Sequence, residues 1–169
     1  MVTIALYNLK GGVGKTAATI NLAYLSAKQG YKTLIWDLDP QGSSSFYLGA
    51  TANIKNEAKK ILTGEMDLAT AIQPSAYENL DIIPADLSAR HADILLNEMK
   101  QSKKKISAIL STIKNEYDIV FLDCPPGISV LHDAVFAGVD WILMPNIPTT
   151  LSIRSFESVL NYFKENDLD

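Results

Sequence analysis

Cysteine is nearly absent from this sequence: there is one, Cys124, in 169 residues. No internal disulfide can form, which fits a reducing, cytoplasmic setting rather than a secreted one. Cys124 stands between an apolar run and Pro125 and reads as a small buried residue. Basic charge is not in excess either. With 15 Lys and Arg against 19 Asp and Glu, a net charge of −4 and a pI near 5.1, the chain has no basic excess for a general nucleic-acid footprint, so any DNA contact has to be local. Long apolar runs are missing too. None approaches the ~20 residues of a membrane span, and the first residues lack the basic, apolar and small-residue sections of a secretory signal. Composition does allow one sizeable core, since 47% of the residues are hydrophobic. A single domain over residues 1–169 is the expectation.

Residues 10–16 read Lys-Gly-Gly-Val-Gly-Lys-Thr and follow Val2–Tyr7, a run that alternates and branches like a buried strand. A glycine-rich turn alone is only a turn; with Lys-Thr attached, between a strand and a helix, it is the pattern of a phosphate-binding loop. Gly11, Gly12 and Gly14 let successive backbone N–H groups turn inward around an anion. Lys15 brings a point charge to the terminal phosphates, and Thr16 offers a hydroxyl to Mg2+ where the helix N-terminus is itself electropositive. The candidate nucleotide site therefore comprises Lys10, Gly11, Gly12, Val13, Gly14, Lys15, Thr16 and Ala17. The loop departs from the general GxxxxGK(S/T) pattern in one place: Leu9 stands where that pattern has glycine, and a second lysine, Lys10, follows it. Asp37 and Asp39 lie at the end of a second apolar run. Asp123 closes a third, ahead of two prolines that cannot continue a strand. Each is an ordinary strand-end acid in isolation, but at the carboxyl edge of a parallel sheet, where open α/β sheets bind ligands, they become site candidates.

Lys-Gly-Gly-Val-Gly-Lys-Thr with its early lysine is the deviant Walker A signature of the ParA/MinD family of ATPases, which this chain resembles. Trp36–Gly42 is similar to that family's DxDPQG segment, Ile82–Ala85 to its IPA strand end, and Val120–Pro126 to its DCPP Walker B. The four motifs occur in family order and cover Met1 to about Pro148. The resemblance implies ATP and Mg2+ as ligands, with Thr16 on the metal directly and Asp37 and Asp123 acting through metal-bound waters. It implies that Asp39 orients or deprotonates the attacking water. Lys10 would reach across an ATP-dependent homodimer to the partner's phosphates, linking nucleotide to dimerisation. Asp123–Gly127 would be the switch segment that senses the γ-phosphate. It also implies a ParB-like or other activating partner protein. Family relatives that carry an iron–sulfur cluster need several cysteines, so those readings fall away. Asp39-Pro40-Gln41-Gly42 favours the ParA branch. A MinD-like positioning ATPase acting at the membrane, and a dethiobiotin-synthetase-like metabolic enzyme on the same fold, stay open as alternatives.

Along the chain, Thr16–Gln29 carries Ala17, Ile20, Leu22, Ala23 and Leu25 at helical spacing, with Gly30 as its stop. Further strands are expected at Lys32–Asp37, Leu80–Pro84, Asp118–Leu122 and Trp141–Met144. Short helices are expected around Ser45–Leu48 and Ala58–Leu62. Leu87–Tyr117 should be mostly helical with a break near Lys100–Lys105, a helix follows near Leu131–Ala137, and the lysine run 103–105 reads as a solvated face. The last helix, Ser152–Lys164, should place Ile153, Phe156, Val159, Leu160 and Phe163 on one side. Alternating strands and helices predict an α/β fold of about five strands: a mostly parallel sheet with helices on both faces, the three-layer P-loop NTPase architecture. Glu165–Asp169 reads as a turn toward a further strand, so the chain is expected to lack the C-terminal part of the family domain, where the resemblance puts the non-specific DNA contacts of ParA proteins. A complete protein would then be cytoplasmic and nucleoid-associated, with no membrane attachment. Filter binding at low and high salt is expected to give weak or no DNA retention by residues 1–169; tight, salt-sensitive retention would move the DNA surface into this segment.

Overall fold

The computed structural model describes residues 1–166. In chain order its elements are β1 (Val2–Leu6), α1 (Lys15–Lys28), β2 (Thr33–Asp37), α2 (Ser43–Tyr47), α3 (Glu57–Thr63), β3 (Gln73–Pro74), β4 (Leu80–Ile83), α4 (Ala92–Asn97), α5 (Lys105–Ser111), β5 (Ile119–Asp123), α6 (Val130–Phe136), β6 (Trp141–Leu143) and α7 (Thr150–Glu165). Short 3-10 turns at Leu87–His91 and Ser102–Lys104 split the expected long helical stretch. The six strands lie in the order β3-β4-β2-β5-β1-β6. All pairings are parallel except β3 with β4. The sixth strand, not anticipated from the sequence, is β3: two residues give no alternation to read, and its Pro74 is tolerated because it sits at the sheet edge.

The central strands are buried on both faces, as the continuous apolar runs require. On one face Leu6, Ile35, Ile82 and Phe121 pack with Ala23 and Ala27 of α1. On the other, Ala5, Leu34, Trp36, Val120 and Leu122 pack with residues of α3 to α6, among them Ile61, Leu96, Ile106 and Ala134. At the β6 edge, Asp140 accepts from both the backbone and the hydroxyl of Thr3 at 2.8 Å, and the Asp140 amide donates back to that hydroxyl at 2.9 Å.

Two helices present different faces from those the spacing predicted. In α1 the buried residues are Lys15, Thr19, Ala23 and Ala27, while Leu22 and Leu25 are 37% and 51% exposed. Small side chains at i, i+4 and i+8 let the helix lie close on the sheet. In α7, Ser152, Ser155 and Val159 face inward, and Ile153, Phe156 and Leu160 are 62%, 40% and 40% exposed. Polar ties set that rotation: Thr149 caps the helix by accepting from the Ser152 amide, and the Ser155 hydroxyl reaches Asn8 at 3.5 Å. The turn expected at Glu165–Asp169 lies largely outside the described residues.

Gly138, just past α6, is held by close approach. A Cβ there would stand 2.9 Å from the Ala134 carbonyl oxygen and 2.9 Å from the Ser107 amide nitrogen, both backbone atoms. Gly138→Ala is therefore expected to cost about 1–3 kcal/mol, read as a lowered denaturation midpoint. Gly11→Ala, whose Cβ would meet nothing within 4 Å, should leave the midpoint near the parental value.

Candidate functional site

Between the end of β1 and the start of α1 the chain turns through a loop whose hand depends on glycine. Gly12 (φ 74°) and Gly14 (φ 94°) are both left-handed, and Gly14 caps α1. An added Cβ at Gly11, Gly12 or Gly14 would meet nothing within 4 Å. The glycines thus serve backbone hand and an open approach, as a phosphate cradle requires. The loop forms one wall of a cleft of about 470 Å³, which Lys15, Thr16, Ala17, Asp39, Gln41, Ser43 and Pro126 also line.

Lys15 is 7% exposed and donates to the Lys10 carbonyl at 3.2 Å. Burial pushes its ammonium below the ordinary lysine range, while the nearby carboxylates of Asp123 and Asp39 pull it back up. Of the predicted site residues, Gly11, Gly12, Gly14, Lys15, Thr16, Ala17 and Asp39 come together around the cleft. Val13 and Lys10 are half-buried and lie outside its lining.

Asp37 and Asp123 end neighbouring parallel strands in direct register, with Leu6 of β1 opposite Asp123. Both are buried, at 2% and 1% exposed. Asp37 accepts from the Ser45 amide and hydroxyl at 2.9 and 2.7 Å and from the Asp39 amide at 3.2 Å. Asp123 accepts from the Ser44 hydroxyl at 2.7 Å. Burial raises the Asp37 carboxyl to about 6, against the pull of the Ser45 hydrogen bonds and with a smaller push from Asp123. Burial also raises Asp123, opposed by the hydroxyls of Ser44 and Thr16. Asp39 is half-buried at the cleft and accepts from the Gln41 amide at 2.9 Å, which shapes the following turn. Two buried carboxylates in register, held only by hydroxyls and amides, suit a cation. Among the described residues no group of three or more His, Cys, Asp or Glu is placed to hold a metal unaided. That fits Mg2+, which keeps several waters and shares substrate phosphates with one or two protein ligands; Thr16, Asp37 and Asp123 are the groups that would hold it.

Sequence reasoning missed Ser44, Ser45 and Asn8. The sequence places Ser45 at the start of a short helix without giving it or Ser44 a function, yet these two supply the hydroxyls under the acids. Asn8, 1% exposed, accepts from the Lys10 amide at 3.0 Å and donates to the Pro145 carbonyl at 2.9 Å and the Asn146 side chain at 3.0 Å. It ties the phosphate loop to the segment after β6. The only signal in the sequence was a polar residue standing between the apolar run Val2–Tyr7 and Leu9.

A parallel sheet whose β1 runs into a glycine loop, a buried lysine and a helix N-terminus, with acids ending two adjacent strands, defines a P-loop nucleotide-binding protein. The family model described as an AAA domain matches residues 1–167, and the chain belongs to that family. Within it the chain is a member of the ParA/Soj ATPases. It is 31% identical over 159 residues to the sporulation initiation inhibitor protein Soj of Bacillus subtilis, covering 94% of this chain and 63% of Soj. The fold is that of McdA from Cyanothece in an ATP complex, with a TM-score of 0.91 at 24% identity, covering 99% of this chain and 64% of that one. It is equally that of cobyrinic acid a,c-diamide synthase from Mycobacterium smegmatis with bound ADP and magnesium, with a TM-score of 0.90 at 24% identity, covering 98% and 67%. The chain thus spans just under two thirds of the length of Soj and of McdA.

The raised Asp37 carboxyl sets a pH dependence for the metal-free protein. Its folded value of about 6 lies above the roughly 3.9 of an unfolded aspartate, so folding takes up a proton between the two. The stability this group contributes is present below about pH 4 and is lost as pH rises to about 6. Denaturation midpoints of the parent minus those of Asp37→Asn, measured across that interval, should decline with pH. A flat difference would show that Asp37 titrates as an ordinary carboxyl.

Proposed function

We propose that this chain is a ParA-type nucleotide switch: it binds ATP with Mg2+ in the cleft above β1, dimerises in that state and hydrolyses the nucleotide to reset. The observation that carries the reading is the division of the two loop lysines. Lys15 is buried at the base of the cradle, whereas Lys10 lies outside the lining of its own cleft, where it is available to a second copy.

The main-chain N–H groups of residues 11–16 and the α1 N-terminus hold the β- and γ-phosphates, and Lys15 neutralises charge on them. Mg2+, when bound, would offset the charge that develops on the phosphate oxygens. Thr16 would hold it through its hydroxyl, and Asp37 and Asp123, buried and anchored by Ser45 and Ser44, would act on it through water. Asp39 orients the attacking water, contributing position more than proton transfer. The partner's copy of Lys10 completes the charge around the transferring phosphoryl group, the kind of cation supplied in trans that is worth roughly 10³–10⁵ in rate in GTPases.

A ParB-like or other activating protein, non-specific DNA binding by the complete protein, and a nucleoid-associated cytoplasmic location follow from the same reading. Soj supports it by sequence. The likeness to the cobyrinic acid enzyme is one of fold, and fold does not select function. Among the described residues no helix is long and apolar enough to cross a membrane.

Three variants separate the parts. Lys15→Ala should lose ATP affinity in titration calorimetry. Lys10→Ala should bind ATP at near-parental affinity and stay monomeric by light scattering. Asp39→Ala should accumulate the ATP-bound dimer while single-turnover hydrolysis falls by on the order of 10² to 10⁴. Unchanged ATP affinity in Lys15→Ala sinks the phosphate-loop assignment, and normal dimerisation by Lys10→Ala sinks the contribution in trans.

A further inference from the structure

Between Asp123 and α6 the segment Cys124–Ser129 runs beside the cleft, with Pro126 in the cleft's lining. Its residues alternate in facing: Pro125, Gly127 and Ser129 are half-buried, and Pro126 and Ile128 are exposed. The inward set is held by two side chains from the core. His132, 2% exposed on the first turn of α6, places Nε2 3.0 Å from the Pro125 carbonyl oxygen and Nδ1 2.9 Å from the Ser129 hydroxyl. Tyr7, fully buried just after β1, donates its hydroxyl to the Gly127 carbonyl at 2.9 Å. A carbonyl only accepts, so Nε2 carries the proton and Nδ1 accepts from Ser129. The two rings brace each other with centroids 5.1 Å apart, and Phe136 closes on Tyr7 at 4.8 Å. The segment is also tied to the phosphate loop, because the Gly127 amide donates to the Leu9 carbonyl at 3.2 Å.

Packing alone would not require this arrangement. A phenylalanine in place of Tyr7 would fill nearly the same volume, yet each hydrogen bond of the Tyr7 and His132 side chains goes to the same five-residue stretch, at every second residue. We propose that His132 and Tyr7 are positioning residues: together they clamp Pro125–Ser129 from the core side and fix where Asp123 and Pro126 stand relative to the terminal phosphate. The proposal rests on the reading of the cleft as an ATP site. Its consequence is selective. ADP would be held by the glycine loop and Lys15, to which neither the His132 nor the Tyr7 side chain hydrogen-bonds, so loosening the clamp should affect the response to the γ-phosphate and spare ADP.

The test uses the full chain, with His132→Phe (ring kept, both hydrogen bonds lost), His132→Gln (a donor kept near Nε2) and Tyr7→Phe (one hydroxyl lost). Amide exchange at Gly127 without nucleotide is read first. Loss of one such bond should speed it about tenfold in Tyr7→Phe and more in His132→Phe, with His132→Gln between parent and His132→Phe. In ATP, kcat should fall about tenfold in His132→Phe with KM and the ADP Kd within about twofold of the parent. Parental exchange at Gly127 in both Phe variants overturns the clamp, as does a common loss of ADP affinity and kcat, which would mark a packing role. Should His132→Phe fail to fold, Tyr7→Phe decides alone. A parent that binds no ATP would overturn the proposed function while the exchange result still judged the clamp.

Discussion

The structure turns on two carboxylates buried side by side. Asp37 and Asp123 end adjacent strands in register, so their proximity is fixed by the sheet rather than by any loop. Unpaired, a buried charge costs several kcal/mol; here each is anchored by serine hydroxyls of one short helix, α2. That helix begins where the left-handed Gly42 (φ 64°) turns the chain back after Asp39. The Ser45 hydroxyl also accepts from the Ala85 amide at 2.7 Å, so the end of β4 is recruited to the same arrangement. Strand ends, α2 and the Asp39 turn therefore form one hydrogen-bonded unit.

A second unit holds the phosphate loop. Asn8 joins the loop to the segment after β6, and Tyr7, one residue earlier, joins β1 to the stretch that follows β5. Consecutive residues just past β1 thus tie it to two separate segments, the one after β5 and the one after β6. The phosphate loop is thus connected to both flanking segments by hydrogen bonds, which is the arrangement the proposed nucleotide switch would use.

Much of this was legible in the sequence, for a physical reason: the phosphate loop and the strand-end acids are local patterns, each complete within a few residues. The open α/β class followed from the alternation of strands and helices. What was not legible depends on long-range placement. Nothing near Ser44 says that its hydroxyl will meet a carboxylate 79 residues away, and nothing near His132 says that it will face Pro125 rather than solvent. Helix faces were misjudged for a related reason. Periodicity finds the apolar stripe of α7, but the inward face is set by the local Thr149–Ser152 cap and by Ser155, whose partner Asn8 lies 147 residues away. In α1 the close contact is made by Ala23 and Ala27 rather than by Leu22 and Leu25, because close packing selects small side chains.

Charge around the cleft adds a last constraint. The protein carries a net charge of −4 and places Asp37, Asp39 and Asp123 near the cradle, so a polyphosphate approaches a site with more carboxylates than cations. Lys15 and the partial positive charge of the α1 N-terminus, about half an elementary charge, do not balance both the acids and a triphosphate. Net charge over the whole surface is screened beyond about 8 Å at physiological salt, so the balance has to be met within the site. Two further sources of positive charge are consistent with the geometry: a divalent ion between the phosphates and the buried acids, and a lysine from outside the cleft. Each appears only when the nucleotide is bound with its metal or when a second copy is present. A site that is electrostatically incomplete in the isolated chain is thereby suited to couple nucleotide to association, since the free energy that completes it becomes available on assembly.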